Sequence, residues 1–260
     1  MRISLTIAGF DPSGGAGIQA DLKVFQALGV YGLSAAAALT AQNTCGVAGV
    51  QAVESRFLKK QLDVLLADIV PDSTKIGMLL SSDNVAAAAT AIRKHGIRNV
   101  VLDPVFISSS GKKLSETSVP TALRKKLLPL CRVITPNISE AEVLSGMKIT
   151  DQASMKRAAE MLKELGPEVV IITGGHSKGA PVDIFFDGKF HEIKGRRVRG
   201  EFHGTGCTFS SAVAAFLALG MSPYDAAKKA KRFIAKALNN AAEAGSGMKV
   251  LNLSSLPARR

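Results

Sequence analysis

The chain has no tryptophan, only two tyrosines and only three cysteines among its 260 residues. With no Trp and two Tyr, platforms on which to stack nucleic-acid bases are scarce. Cys45, Cys131 and Cys207 are odd in number, widely scattered and without metal-ligand spacing. They exclude a disulfide framework and fit a reducing compartment. His95, His176, His191 and His203 also lack zinc spacing; His176 and His203 are read as near a ligand, His95 and His191 as loop or solvent residues. No apolar run approaches the roughly 18 residues that a membrane span requires. The opening MRISLTIAGFDPSGG is too short in its apolar part for a signal peptide and has no small-residue cleavage site before its glycines. It is read as the first strand of a cytoplasmic protein with no membrane partner. Internal repeats, low-complexity tracts and linkers are missing too, which favours one domain over residues 1–260.

What is present is a large apolar fraction, 47%, and a formal net charge of +12. The first predicts a sizeable core. The second suits polyanionic small molecules as well as nucleic acid, but the basic residues are spread through Arg56–Lys60, Arg124–Lys126, Lys194–Arg199 and Lys228–Arg232. That dispersion reads as solvated helix faces, and no nucleic-acid partner is expected.

Short apolar runs recur at Ile3–Ala8, Gly32–Leu39, Thr74–Met78, Val100–Asp103, Val133–Thr135 and Val169–Thr173. Near-continuous apolar runs mark strands buried on both faces. Helical patterns separate them at Gly17–Leu28, Ser55–Asp68, Asn84–His95, Ser118–Leu128, Ser139–Ser145 and Ser154–Leu165, and two more cover Cys207 to about Gly220 and Pro223–Ala244. The alternation predicts an α/β fold with a mostly parallel sheet between helices. Asp183–Phe186 and Phe190–Ile193, joined through Asp187-Gly188, predict a hairpin.

Ligands of such sheets bind beyond the carboxyl ends of the strands, where this chain places Gly9–Gly17, Thr40–Thr44, Gly77-Met78, Asp103-Pro104, Pro136–Glu140 and Gly174-Gly175-His176. The organising stretch is Phe202–Gly220, FHGTGCTFSSAVAAFLALG. Its glycines allow positive φ and expose successive amides, and a helix starting near Cys207 adds its unpaired N–H groups and dipole, which together form an anion site. Gly9–Gly17 lacks the ending of a P-loop and the spacing of a dinucleotide fingerprint; it reads as a sharp turn or as a close backbone approach to a small ligand. Asp21, one turn into the following helix, can accept a hydrogen bond from a hydroxyl substrate or favour the helix dipole. Gln42 and Asn43 offer amides suited to the edge of a heteroaromatic ring. Asp103, Asn137 and Glu140 are the oxygen ligands that Mg²⁺ prefers, or, for the last two, a helix cap.

Taken in order, AGFDPSGGAGIQAD, TAQNT, KIGML, VLDPV, TPNISEAE, GGH and HGTGC resemble the hydroxymethylpyrimidine/phosphomethylpyrimidine kinases of thiamine biosynthesis, within the ribokinase-like superfamily, from about Ile3 to Ala237. The resemblance implies a three-layer sandwich with a mostly parallel central sheet and helices on both faces. It implies ATP-dependent phosphorylation of 4-amino-5-hydroxymethyl-2-methylpyrimidine and of its monophosphate, with Mg²⁺. By the same resemblance Asp21 and Gln42 hold the pyrimidine, and Gly9, Thr40, Met78 and Val105 line its pocket. Asp103, Asn137 and Glu140 organise the metal; Asp103, Asn137, Thr173 and Gly175 lie on the ATP side; Gly204, Thr205, Gly206 and Cys207 form the anion hole. A homodimer is implied by analogy. Cys207, at a helix N-terminus, is expected to have a depressed pKa and to serve as a base or a positioning group rather than a covalent nucleophile. Thr173 and Ser109 stand where the family commonly has lysines near the ATP phosphates, and AGSGMKVLNLSSL replaces a glycine- and histidine-rich C-terminal segment. Two further readings are a pyridoxal/pyridoxine kinase and a non-catalytic pyrimidine-binding regulatory protein.

Overall fold

A computed structural model describes residues 1–108, 111–175 and 181–253. In chain order the elements are β1 (Ile3–Phe10), α1 (Gly17–Ala27), β2 (Tyr31–Asn43), β3 (Gly46–Ala52), α2 (Ser55–Asp68), β4 (Ser73–Ile76), α3 (Ser82–Lys94), β5 (Val100–Leu102) and α4 (Val119–Ala122). They continue with β6 (Val133–Ile134), α5 (Ile138–Ser145), α6 (Gln152–Glu164), β7 (Val169–Ile172), β8 (Val182–Phe186), β9 (Phe190–Lys194), β10 (Phe202–His203), α7 (Thr205–Ala218), α8 (Pro223–Asn239) and β11 (Lys249–Val250).

One sheet runs in the order β3-β2-β1-β4-β5-β6-β7-β8-β9. Its centre, from β2 to β7, is parallel, while β3 and the β8–β9 hairpin pair antiparallel at the two ends. Period-two alternation divides the strand side chains between two cores. Val101, Val133, Val169 and Ile171 pack with α1, α7 and α8, whereas Leu102, Ile134, Val170 and Ile172 pack with α2 to α6. Both faces are therefore covered, as in a three-layer sandwich.

β1 breaks the apolar rule on one side. Leu5 and Ile7 enter the α2–α6 core, but Ser4 and Thr6 are fully buried polar residues, as is Lys75 of β4. This polar stripe lies where the strand order reverses, since β1 has β2 on one side and β4 on the other. Such a switch point opens a crevice at the strands' carboxyl ends.

Several boundaries differ from the sequence expectation. β2 runs on through Thr40–Asn43 because these residues pair with Val50, Gly49, Val47 and Gly46 of β3, a strand that was not expected; cross-strand pairing overrides the weak strand preference of Gln and Asn. α7 starts at Thr205 rather than near Cys207, and α8 stops at Asn239, short of Ala244. The segment expected as a helix over Ser118–Leu128 keeps only a short α-helical turn, then widens into a π turn at Leu123–Leu127 and tightens over Leu128–Leu130, where Pro129 falls. β11 pairs with β10, tying the C-terminal part of the chain to the HGTG turn.

Candidate active site

The turn after β1 is built around Asp11. Its carboxylate accepts from the Ser13 amide (2.9 Å), the Ser13 hydroxyl (2.7 Å) and the Ala16 amide (2.8 Å), which fixes the entry to α1. Two glycines here are required by close approach. Gly17 has φ +57°, and a Cβ on it would lie 2.3 Å from the Gly9 carbonyl oxygen; Gly204 has φ +78°, and a Cβ there would lie 1.8 Å from the Gly15 oxygen. The two glycine motifs, 189 residues apart at Gly15 and Gly204, thus pack backbone against backbone, with the His203 ring over Gly15. Part of the glycine pattern read as a ligand cradle is this contact.

The same contact aims the N-terminus of α7. Gly204 is the N-cap, no side chain caps the helix, and its first turn holds no acid. The amides of Thr205, Gly206 and Cys207 therefore have no partner within the helix. Gly206 is exposed, with the Asp103 oxygens the nearest atoms to where a Cβ would stand, at 3.9 Å. Open amides at the positive end of a helix dipole form an anion cradle.

Cys207 corrects an expectation. Its polar neighbours are the Gly17 amide and the Asp103 carboxylate. Burial pushes the thiol up to about 12, against the pull of Lys75 and helped by the charges of Asp103 and Asp21. The helix terminus does not depress it, because loss of solvation and two acidic neighbours outweigh one cation and a dipole.

Beneath Cys207 lies a buried ionic cluster that the sequence reading did not find. Lys75 Nζ sits 2.9 and 3.0 Å from the two Asp21 oxygens and 3.9 Å from Asp103, and Lys75 and Asp21 are both 0% exposed. Burial lowers the lysine's proton affinity, yet the neighbouring Asp21, Cys207 and Asp103 raise it further, so the ammonium stays charged. Asp21 also accepts from Thr6 Oγ1 and Ser211 Oγ, each at 2.6 Å. This overturns Asp21 as a substrate contact: both its oxygens are taken up behind the pocket wall, and its part is to hold Lys75. A lysine inside the apolar run of KIGM was the available signal.

The cavity at the switch point holds about 60 Å³, and its wall brings together Gly9, Thr40, Gln42, Met78, Val105 and Cys207, with Asp11, Lys75 and Leu114. Thr40 is turned by donating to the Phe10 carbonyl at 3.0 Å. Met78 lies against Gly9, where a Cβ would meet its Cε at 2.3 Å. A larger groove of about 550 Å³ between the β2–β3 ribbon and α2, lined by Leu39, Val53 and Phe57 among others, contains none of the expected site residues.

On the next strand ends, Asp103 follows β5, and Asn137 and Glu140 open α5. Asn137 and Glu140 form a reciprocal capping box, with Glu140 N–H donating to Asn137 Oδ1 (3.0 Å) and Asn137 N–H to Glu140 Oε2 (2.8 Å). The cap reading therefore holds for both. Burial and the adjacent Asp103 charge push Glu140 well above the usual carboxylate range; burial raises Asp103 too, against Lys75 and a 3.0 Å bond from Ser210. Two buried carboxylates that repel each other are what a divalent cation relieves. Among the described residues no three acidic, His or Cys side chains converge to hold a metal alone, so an ion here would complete its shell with water and phosphate oxygens. Thr173, at the end of β7, bridges to Asn137, and its amide donates to the Pro136 carbonyl at 2.9 Å. Gly175 beyond it is exposed. Gly174 is there for space, since a Cβ would lie 2.1 Å from the Val182 oxygen. His176 and Ser109 lie outside the described residues.

Comparison with known proteins converges on one family. The profile described as Phosphomethylpyrimidine kinase matches residues 11–252. The chain is 44% identical to the hydroxymethylpyrimidine/phosphomethylpyrimidine kinase of Rhizobium meliloti, over 92% of this chain and 91% of that protein. It is 45% identical to the thiamine biosynthesis bifunctional protein ThiED of Geobacter sulfurreducens, over 94% of this chain and 50% of that protein, so it spans about half the length of this relative. The pyridoxal kinase of Staphylococcus aureus in complex with ADP superposes with a TM-score of 0.91 at 34% identity, over 98% of this chain and 94% of that one.

Proposed function

This chain belongs to the phosphomethylpyrimidine kinase family, and from that premise we propose that it transfers the γ-phosphoryl group of ATP to 4-amino-5-hydroxymethyl-2-methylpyrimidine and then to the monophosphate. The observation that carries this reading is the meeting of Gln42, Met78 and Cys207 on one cavity wall, with Cys207 in the uncapped first turn of α7. The heteroaromatic ring takes the Gly9–Met78 side with Gln42 at its edge. About 60 Å³ is room for roughly two water molecules, so Met78, an adaptable thioether, swings aside to admit the ring.

The hydroxymethyl group then faces Cys207, and the transferred phosphoryl group faces the amides of residues 205–207. Phosphoryl transfer asks chiefly for in-line positioning and charge neutralisation. The amides supply both for the developing charge, and the buried Lys75 adds a cation behind them. A thiol held near 12 stays protonated at neutral pH, so Cys207 orients the substrate hydroxyl through its place between Gly17 and Asp103. Asp103 and Glu140, with Asn137 and Thr173 beside them, would hold Mg²⁺, which when bound draws charge off the phosphate oxygens. Gly175 borders the nucleotide side. The protein works as one kinase domain in the cytoplasm, as a homodimer.

Cys207→Ala is expected to lower kcat by roughly 10- to 100-fold, the loss of one group that positions the reacting hydroxyl, while KM for the pyrimidine changes less than about twofold. Unaltered kcat would remove the thiol from the reaction. The proposal as a whole is tested by ADP release with Mg·ATP and each of hydroxymethylpyrimidine, its monophosphate and pyridoxal. Turnover on the first two is the expected result. Pyridoxal is the substrate of the second reading, which the likeness to the staphylococcal enzyme favours; a preference for it would replace the proposal. No release with any of the three would leave a pyrimidine-binding protein without turnover.

A further inference from the structure

His203 is 4% exposed, its ring lies on Gly15, and it touches two polar groups of the cavity wall through one atom. Its Nε2 is 2.8 Å from Asp11 Oδ2 and 2.9 Å from the terminal amide of Gln42. Its Nδ1 is buried without a hydrogen-bond partner among the described residues. One ring nitrogen cannot donate to one neighbour and accept from the other.

Asp11 decides the question. Burial pushes its carboxyl up, but the bonds from His203, Ser13 and Ala16 outweigh that and hold it below the ordinary value, so it is an ionised acceptor. Nε2 must then carry the hydrogen. A Gln42 amide with its nitrogen toward His203 would set donor against donor. Rotating the amide by half a turn, which changes almost nothing in its shape, puts Oε1 within reach of the histidine N–H, which Asp11 and Gln42 then share as a three-centre bond, and turns the NH₂ group toward the cavity.

We propose that His203, fixed in its Nε2–H tautomer by Asp11, is a positioning residue that locks Gln42 with its NH₂ toward the ligand, so that the site selects neutral heteroaromatic rings with an unprotonated acceptor nitrogen. The inference rests on reading the cavity as the heterocycle site, and it assigns the selectivity of that site to residues 11, 42 and 203 acting together. Phosphate chemistry at α7 is unaffected by it: the selection is made at the other end of the substrate.

The test combines calorimetric binding of hydroxymethylpyrimidine with ¹⁵N NMR of the imidazole. His203→Leu removes the N–H, and His203→Gln returns a donor near the position of Nε2. Leucine is expected to weaken binding about tenfold, one lost directed hydrogen bond, a larger change than in kcat at saturation, and glutamine is expected to restore most of the affinity. NMR of the unmodified protein should show Nε2 protonated and Nδ1 bare. Wild-type affinity in a folded His203→Leu protein, or an Nδ1-protonated ring, would overturn the inference. If the unmodified protein binds pyridoxal and not the pyrimidine, the functional proposal fails by itself; the same variants are then measured with pyridoxal, where weakening by leucine and rescue by glutamine support the role of His203 and their absence overturns it.

Discussion

Lys75→Met is expected to destabilise the protein by about 3–5 kcal/mol, the usual cost of removing one partner of a buried ion pair. The ammonium sits within 3.0 Å of both Asp21 oxygens and 3.9 Å from Asp103, with no solvent to take its place. Methionine fills the volume and leaves two buried carboxylates facing each other. For a chain of this size the loss corresponds to a fall in Tm of roughly 10 °C. Asp21→Asn in the same chain removes one of those charges; its single carbonyl oxygen keeps an acceptor for one of Thr6 and Ser211, and the other hydroxyl turns to accept from the new NH₂ group, so the double variant should regain at least half of the lost stability. It should not regain activity, because the cation behind Cys207 and the α7 amides is still missing. A melting temperature within about 1 °C of the parent for Lys75→Met would show that the cluster is not the electrostatic keystone described here; full activity in the double variant would confine Lys75 to a structural part. Buried ion pairs are often no more stable than apolar replacements, so a fully buried lysine directly under the proposed phosphoryl-transfer site is better explained by its charge than by its packing.

What could be read in the sequence follows from how local each signal is. Val169–Ile172 announces a doubly covered strand by composition alone, and α2 begins and ends where its apolar spacing does, at Ser55 and Asp68. Gly9, Thr40, Gln42, Met78, Val105 and Cys207 meet on one wall; the strand-end rule pointed to the rim, and the resemblance to the family picked these residues out of it. The Lys75–Asp21 pair has partners 54 residues apart, and His203–Asp11 has partners 192 apart; neither leaves a spacing that a reader of the chain could score. The direction in which Asp21 points illustrates the limit. Its place one turn into α1 was legible, but whether that turn faces the cavity or the polar stripe of β1 and β4 depends on the packing of three elements. The Cys207 thiol is the same problem in electrostatic form, since a helix terminus is visible in sequence and the degree of burial is not. β3 was missed because its glycines and alternating small residues carry little strand preference away from their partner.

Gly204→Ala is expected to abolish most of the activity while leaving a folded protein. Left-handed backbone costs an alanine about 1–2 kcal/mol, and the new methyl group would fall 1.8 Å from the Gly15 oxygen. Backbone atoms cannot give way as the tip of a side chain can, so the HGTG turn must part from the Asp11–Gly17 turn. That movement carries the first amides of α7 away from the place proposed for the transferred phosphoryl group. Loss of one such donor costs roughly 10²- to 10³-fold in rate in other enzymes, and several are displaced together here, so a fall in kcat of at least about 10²-fold is the expected result. Gly220→Ala provides the matched control at the far end of α7: it has the same kind of backbone, φ +87°, with nothing within 4 Å of the added carbon. It should bear the conformational cost alone and keep its turnover. If Gly204→Ala loses no more activity than Gly220→Ala, the close approach of the two glycine turns is packing without catalytic consequence; a hundredfold difference between them at similar stability makes that backbone contact the element that aims the anion site.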